Sequence, residues 1–295
     1  MLDLEHLAAL WHSHGADANT HLPGFEVGPT KLEIGQEPRL MGVVNLSHQS
    51  WYRESVCLNP DAAIRRGHIL AAEGAHLIDV GGESTLAHAD RVTVSDQIKT
   101  LTPITKKLVD AGIPVSIETY SAPVAEAVLD AGASVINMTG TGESETIYQL
   151  ASQGDAGVIV SYVQGANPRE VSDLTFADDP YDAFLDYFKI EIQKASTAGL
   201  DRLIVDPGLG FYYKNLQDGK QRVGYQINTL LQTFRLHSLG KPICHALPHA
   251  FEFFENQVRS AEPFFAVMAL LGKTHLFRTH EVATVRSVIE TMKCA

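Results

Sequence analysis

From Arg39 onward, short apolar runs and amphipathic stretches alternate eight times, and each apolar run closes on a polar residue. The runs are Leu40–Val44, His76–Val80, Pro114–Ile117, Ser134–Ile136, Gly157–Val160, Arg202–Val205, Pro242–Cys244 and Thr274–Phe277. Strands buried on both faces look like this, because neither face has to alternate with solvent. Between the runs, Asp61–Glu73 and Val94–Ala111 carry helical spacing. Ala-Gly pairs at Gly112 and Gly132 suit a helix C-cap followed by a tight loop into the next strand. Eightfold alternation predicts an α/β fold, a single (β/α)₈ barrel over residues 39–295. The doubly wound alternative usually has fewer strands and a Gly-x-Gly-x-x-Gly phosphate turn after the first one, and that turn is absent. Residues 1–38 have turn formers (Gly15, Pro23, Gly24, Gly28, Pro29) and no strong period. They read as an N-terminal extension or a strand pair that plugs the barrel bottom.

In such barrels chemistry sits at the C-terminal ends of the strands. The residues closing the runs are Asn45, Asp79 with Glu83-Ser84-Thr85, Glu118, Asn137, Ser161, Asp206, His245 and Arg278-Thr279-His280. One of these would be an ordinary cap. Eight on one face are not, because each buried unpaired polar group costs roughly 1–3 kcal/mol. A concave small-ligand site is the economical explanation. The net charge of −12 disfavours nucleic acid and anionic membranes, which need clustered basic residues. No apolar run approaches the roughly 20 residues that span a bilayer. Three scattered cysteines (Cys57, Cys244, Cys294) form neither a disulfide framework nor a zinc knot, and the opening residues lack a basic signal region. A reduced, cytoplasmic protein is expected.

Several ordered motifs are more specific. They are Met41-Gly-Val-Val-Asn45, Gly74-Ala-His-Leu-Ile-Asp79-Val-Gly-Gly-Glu-Ser-Thr85, Ser116-Ile-Glu118-Thr-Tyr120, Ala131-Gly-Ala-Ser-Val-Ile-Asn137, Asp206-Pro-Gly-Leu-Gly-Phe211 with Lys214, and Arg278-Thr-His280-Glu-Val282. In order and spacing they resemble the dihydropteroate synthases and the wider pterin-binding barrels, from about Arg39 to Ile289. The resemblance implies transfer of a pterin methylene from its pyrophosphate ester to an amine, with Mg²⁺ as cofactor and a pterin as the small-molecule partner. It places Asp79, Glu118, Asn137, Asp206, Phe211 and Lys214 around the substrate. Asn45, Arg278, His280 and Thr85 fall in the catalytic anion region, with Asn45 as the metal contact. On that basis Arg278→Ala should abolish stabilisation by pyrophosphate while leaving the unliganded melting point nearly unchanged. Glu83 is the alternative partner for Arg278.

The chain also departs from the resemblance. His48 and Gln49 stand in place of a Pro-Asp pair, Leu86 in place of an arginine, and Glu118 in place of an aspartate. Cys244-His-Ala-Leu-Pro-His249 replaces the Ser-Arg-Lys of the seventh strand; Arg53 or Lys214 is a candidate replacement for the lost charge, though neither follows from the motif. A variant transferase with a non-standard amine or other nucleophile is expected. A pterin-dependent methyltransferase-type barrel and a non-catalytic pterin-binding protein are the alternatives. His245 and His249 would form a zinc pair only if helical. Trp51, Tyr52, Tyr162, Phe211, Tyr212 and Tyr213 either stack on a flat ring or pack loops. Phe251–Phe254 and Pro263–Leu271 are apolar enough for a homodimer, as the resemblance also implies.

Overall fold

The computed structural model describes residues 2–47, 55–57, 59–84, 90–165, 179–211 and 218–294. Eight parallel strands form the barrel: β3 (Arg39–Asn45), β4 (Leu77–Gly81), β5 (Val115–Glu118), β6 (Val135–Met138), β7 (Gly157–Ser161), β8 (Leu203–Asp206), β9 (Cys244–Ala246) and β10 (Leu276–Thr279). Their order is β8-β7-β6-β5-β4-β3-β10-β9. The ring closes just before β9, where the Val205 amide donates to the Pro242 carbonyl at 3.0 Å and Val205 bridges Ile243. Each strand overlaps its expected run or follows it by one or two residues.

The helices form where the caps direct them. In α2 (Pro60–Glu73) the Asn59 side chain accepts from the Ala62 amide, Pro60 opens the first turn, and Gly74 ends it at φ 110°. In α3 (Val94–Asp110) the Thr93 hydroxyl accepts from the Asp96 amide. The ring continues with α4 (Ala122–Asp130), α5 (Ser144–Ser152), α6 (Tyr181–Thr197), α7 (Gly219–Leu231), α8 (Phe251–Phe254), α9 (Ala261–Leu271) and α10 (Val282–Met292). Their apolar faces and the outward strand residues make one continuous core. Among the described residues no helix is long and apolar enough to cross a membrane.

The N-terminal segment differs in part from the reading of residues 1–38. A helix, α1 (Leu4–Ala18), precedes the strand pair β1 (Phe25–Val27) and β2 (Leu32–Ile34). Only Gly15 and Ala18 of α1 are buried, so the segment carries little apolar periodicity to betray it. The hairpin does sit at the barrel bottom. Gly28 (φ 69°) donates to the Asp155 carbonyl at 2.8 Å and lies against Ser134, at the N-terminal ends of β7 and β6.

Val27 and Ile34 pack with Met41, Leu77, Val135, Ile159, Ile204, Cys244 and Leu276 in an inner cluster. Side chains two apart on a strand share a face. The layer above this apolar plug is therefore Val43, Asp79, Asn137, Ser161, Asp206, Ala246 and Arg278. One strand period turns an apolar floor into a polar site.

Candidate functional site

A cavity of about 600 Å³ opens above that layer. Its walls include Asn45, Glu83, Glu118, Asn137, Asp206, Phe211, Ala246, Leu247, His249, Arg278 and His280. Asp79 does not line it. Its carboxylate is fully buried beneath the floor, accepting from Ser116 Oγ at 2.7 Å, Asn137 Nδ2 at 3.1 Å and Arg278 Nε at 2.7 Å. It acts through its neighbours. Holding the Asn137 amino group leaves that amide's oxygen as an acceptor. Holding Arg278 Nε leaves Nη2 to donate to Glu118 Oε2.

Arg278 thus joins two buried carboxylates, Asp79 and Glu118. The geometry argues against the expectation that unliganded stability is nearly indifferent to Arg278, and the partners of Arg278 are Asp79 and Glu118, not Glu83. Glu83 instead accepts from the Tyr120 hydroxyl at 3.0 Å and the Val92 amide at 3.0 Å. Burial pushes the Glu118 carboxyl up to about 7; Arg278 pulls it down while Asp79 and Asp206 push it further up. Burial likewise raises Asp206 to about 6, against the pull of the Gly208 amide and of Arg278. The Gly208 amide donates to Asp206 Oδ1 at 2.8 Å, so one oxygen shapes the turn and the other remains for a ligand. Gly208 is required there, with φ 78° and the Tyr162 carbonyl 2.3 Å from where a Cβ would lie. Glu118, Asn137 and Asp206 together present hydrogen-bond acceptors to a flat heterocycle that carries adjacent N–H donors.

At the rim, Asn45 Nδ2 donates to Ser55 Oγ at 2.7 Å, which leaves Asn45 Oδ1, a hard oxygen, for a cation. Arg222 pairs with Glu252. The wall after β9 is Ala246-Leu-Pro-His-Ala-Phe251, and no Lys or Arg occurs between Lys241 and Arg259. His245 lies in β9, not in a helix, fully buried with Nε2 2.9 Å from Thr233 Oγ1, so it does not pair with His249. His249 faces His280 across 5.2 Å between ring centroids, and both meet the buried Glu262. Burial lowers His249 to about 4. Nearby His280 and its hydrogen bond hold Glu262 below the usual carboxylate range, overriding burial.

Of the strand-end residues named from sequence, Asn45, Glu83, Ser84, Glu118, Asn137, Ser161, Asp206, Arg278 and His280 converge on the cavity with Asp79 beneath them, whereas His245 is turned away from it against Thr233. Tyr162 packs edge-on against Phe184 and Tyr187, each at 4.9 Å, as core and not as cavity wall. Thr85, Lys214, Arg53, Trp51, Tyr52, Tyr212, Tyr213, His48, Gln49 and Leu86 lie outside the described residues. Sequence reasoning gave no role to Ser55, Ser116 or Glu262. Glu262 had a signal, a lone acid at the head of an otherwise apolar stretch that could be buried only with partners.

Residues 41–241 match the family described as pterin binding enzyme. The chain is 27% identical over 278 residues to a dihydropteroate synthase of Synechocystis, covering 90% of this chain and 93% of that one. It is 34% identical over 207 residues to a probable bifunctional folylpolyglutamate synthase/dihydropteroate synthase of Haloferax volcanii, covering 69% of this chain but only 24% of that longer protein. Among solved structures, a Xanthomonas albilineans dihydropteroate synthase with 4-aminobenzoic acid superposes with a TM-score of 0.75 at 26% identity, over 92% of this chain and 98% of that one.

Proposed function

The chain belongs to the pterin-binding enzyme family, and we propose that it is a dihydropteroate synthase-like transferase acting on a nucleophile other than 4-aminobenzoate. The acceptor floor of Glu118, Asn137 and Asp206 matches the 2-amino and ring N–H donors of a pterin. Asn45, Arg278 and His280 lie where a pyrophosphate on the exocyclic carbon would reach. In the reaction the carbon–oxygen bond to pyrophosphate breaks, a bond from that carbon to the incoming nucleophile forms, and the nucleophile's proton passes to solvent. Asn45 Oδ1 fits Mg²⁺, which when bound would neutralise the departing pyrophosphate. The chain's own residues orient the ring, exclude water from the floor and keep donors beside the leaving group.

The observation that carries the altered second substrate is the wall after β9. An aromatic acid needs a cation there, and the wall offers alanine, leucine, proline, histidine and phenylalanine. The described arginines lining the cavity, Arg222 and Arg278, are both engaged by carboxylates. The exposed Phe253, Phe264 and Leu271 favour a homodimer through the face of α8 and α9.

The test is pyrophosphate release from hydroxymethyl-dihydropterin pyrophosphate, with 4-aminobenzoate and with a panel of amines lacking a carboxylate. Release should occur within the panel and run on the order of 10²-fold or more slower with 4-aminobenzoate, since each lost transition-state contact costs about that much. Robust growth of a folate-synthase-deficient bacterium carrying this chain would overturn the altered-substrate reading. Pterin binding without release from any nucleophile would favour a non-catalytic protein.

A further inference from the structure

We propose that His249, Glu262 and His280 form a site for a divalent transition metal of the Zn²⁺ type on the cavity wall. The site stands independently of which nucleophile, or which heterocycle, the cavity takes. Three elements supply it. His249 follows β9, Glu262 lies in the first turn of α9, and His280 follows β10. One potential ligand atom from each lies within 4.8 Å of the others. Glu262 Oε1 is 2.7 Å from His280 Nδ1 and 3.5 Å from His249 Nδ1.

Two imidazoles and a carboxylate are a donor set of Zn²⁺ and non-haem Fe²⁺ centres. Metal–ligand bonds of about 2.0–2.2 Å in a tetrahedron put ligand atoms roughly 3.3–3.5 Å apart. The His249–Glu262 separation already fits. The His280–Glu262 contact must open by roughly 0.6–0.8 Å, its hydrogen bond replaced by bonds from both atoms to the ion. The neutral His280 ring then carries its proton on Nε2.

The carboxylate is held for this role. Glu262 is fully buried, and its Oε2 accepts from the Thr279 hydroxyl, the His280 amide at 2.8 Å and the Glu281 amide at 3.2 Å. Those bonds fix its orientation and leave Oε1 towards the two rings, the kind of outer-shell support that metal ligands have. Both histidines line the cavity, so a bound ion would sit at the edge of the ligand space, held by three protein ligands and not by the four of a closed structural site. Electrostatics agree. The cavity wall carries Glu83, Glu118, Asp206 and Glu252, and the arginines lining it are paired with carboxylates. A bound dication would offset part of that negative charge at the cavity edge.

The experiment uses the full chain, freed of metal with a chelator, then titrated with Zn²⁺ by calorimetry and with Co²⁺ by visible absorption. We expect one ion per chain and Co²⁺ bands of low coordination number. His249→Ala and Glu262→Gln should each weaken binding by about a hundredfold or more, as loss of one of few ligands does. Circular dichroism and melting establish that the variants fold. If Glu262→Gln does not fold, His249→Ala decides, because among the described residues it is Glu262, and not His249, that accepts from the His280 and Glu281 amides. Unchanged Zn²⁺ affinity in His249→Ala would overturn the proposal, as would loss of binding in His6→Ala/His12→Ala, at exposed N-terminal histidines. No stoichiometric binding by the wild type would leave Glu262 and His280 as a hydrogen-bonded pair only.

Discussion

Replacing Arg278 by methionine removes the cation between two buried carboxylates while keeping most of the side-chain volume. Asp79 is fully buried, the Glu118 side chain is 10% exposed, and Arg278 donates to both. Removing one partner of a buried ion pair costs about 3–5 kcal/mol, because the other charge stays buried without compensation. The protein can escape part of that cost by protonating Glu118. Its carboxyl is already at about 7 with Arg278 present, and losing Arg278 raises it further. Below pH 7 Glu118 is protonated in both proteins and adds no pH dependence to their difference. Above pH 7 the variant holds a proton that the wild type has released, so the destabilisation grows with pH by up to about 1.4 kcal/mol per unit. Urea unfolding at pH 6, 7 and 8 reads both effects. A loss of about 3–5 kcal/mol at pH 8, smaller at pH 6, is expected. Adding Glu118→Gln should recover part of the loss at pH 8, since the two sites are in contact. A loss below about 1 kcal/mol, in the range of exposed pairs, would refute the reasoning, as would a loss independent of pH.

Two further outcomes follow from the same geometry. Asp206 at about 6 and Glu118 at about 7 accept from a pterin's N–H groups most strongly when ionised, because protonation puts an O–H donor where an acceptor stood. Pterin affinity should therefore fall as the pH drops from 8 to 5, most steeply below 6, and Asp206→Asn should flatten the lower limb; a constant dissociation constant would contradict this. Gly28→Ala combines a left-handed backbone (φ 69°) with a Cβ 2.0 Å from Ser134 Oγ, so it should cost about 2–4 kcal/mol in chemical denaturation. Gly112→Ala, with φ 76° and open space around it, should cost only about 1–2 kcal/mol.

How much of this was legible in the chain depends on how local each signal is. The barrel strands are local signals: six of the runs overlap their strands over most of their length, and Thr274–Phe277 over half. The seventh, Pro242–Cys244, leads into β9 at Cys244–Ala246, because Pro242 and Ile243 close the barrel against Val205 outside the ladder. The polar residues ending each strand were equally readable. Depth was not. Period two puts Asp79 on the inward face but does not say that Ser116, Asn137 and Arg278 will cover it. Arg278 had several acids within reach along the mouth, and only the cross-barrel geometry selects Asp79 and Glu118 over Glu83. The His249–Glu262–His280 group joins three different elements, the turn after β9, the first turn of α9 and the end of β10, so no spacing within one element reveals it.

The claim on which the account rests is that the floor of Glu118, Asn137 and Asp206 binds a pterin. Calorimetric titration with a pterin pyrophosphate, on the wild type, Asp206→Ala and Asn137→Ala, tests it most directly. The wild type should bind. Each variant should lose about 1.5–3 kcal/mol, tenfold or more in affinity, because a hydrogen-bond partner is removed from a buried floor. An absence of binding by the wild type, or variants that bind as tightly as it does, would contradict the claim.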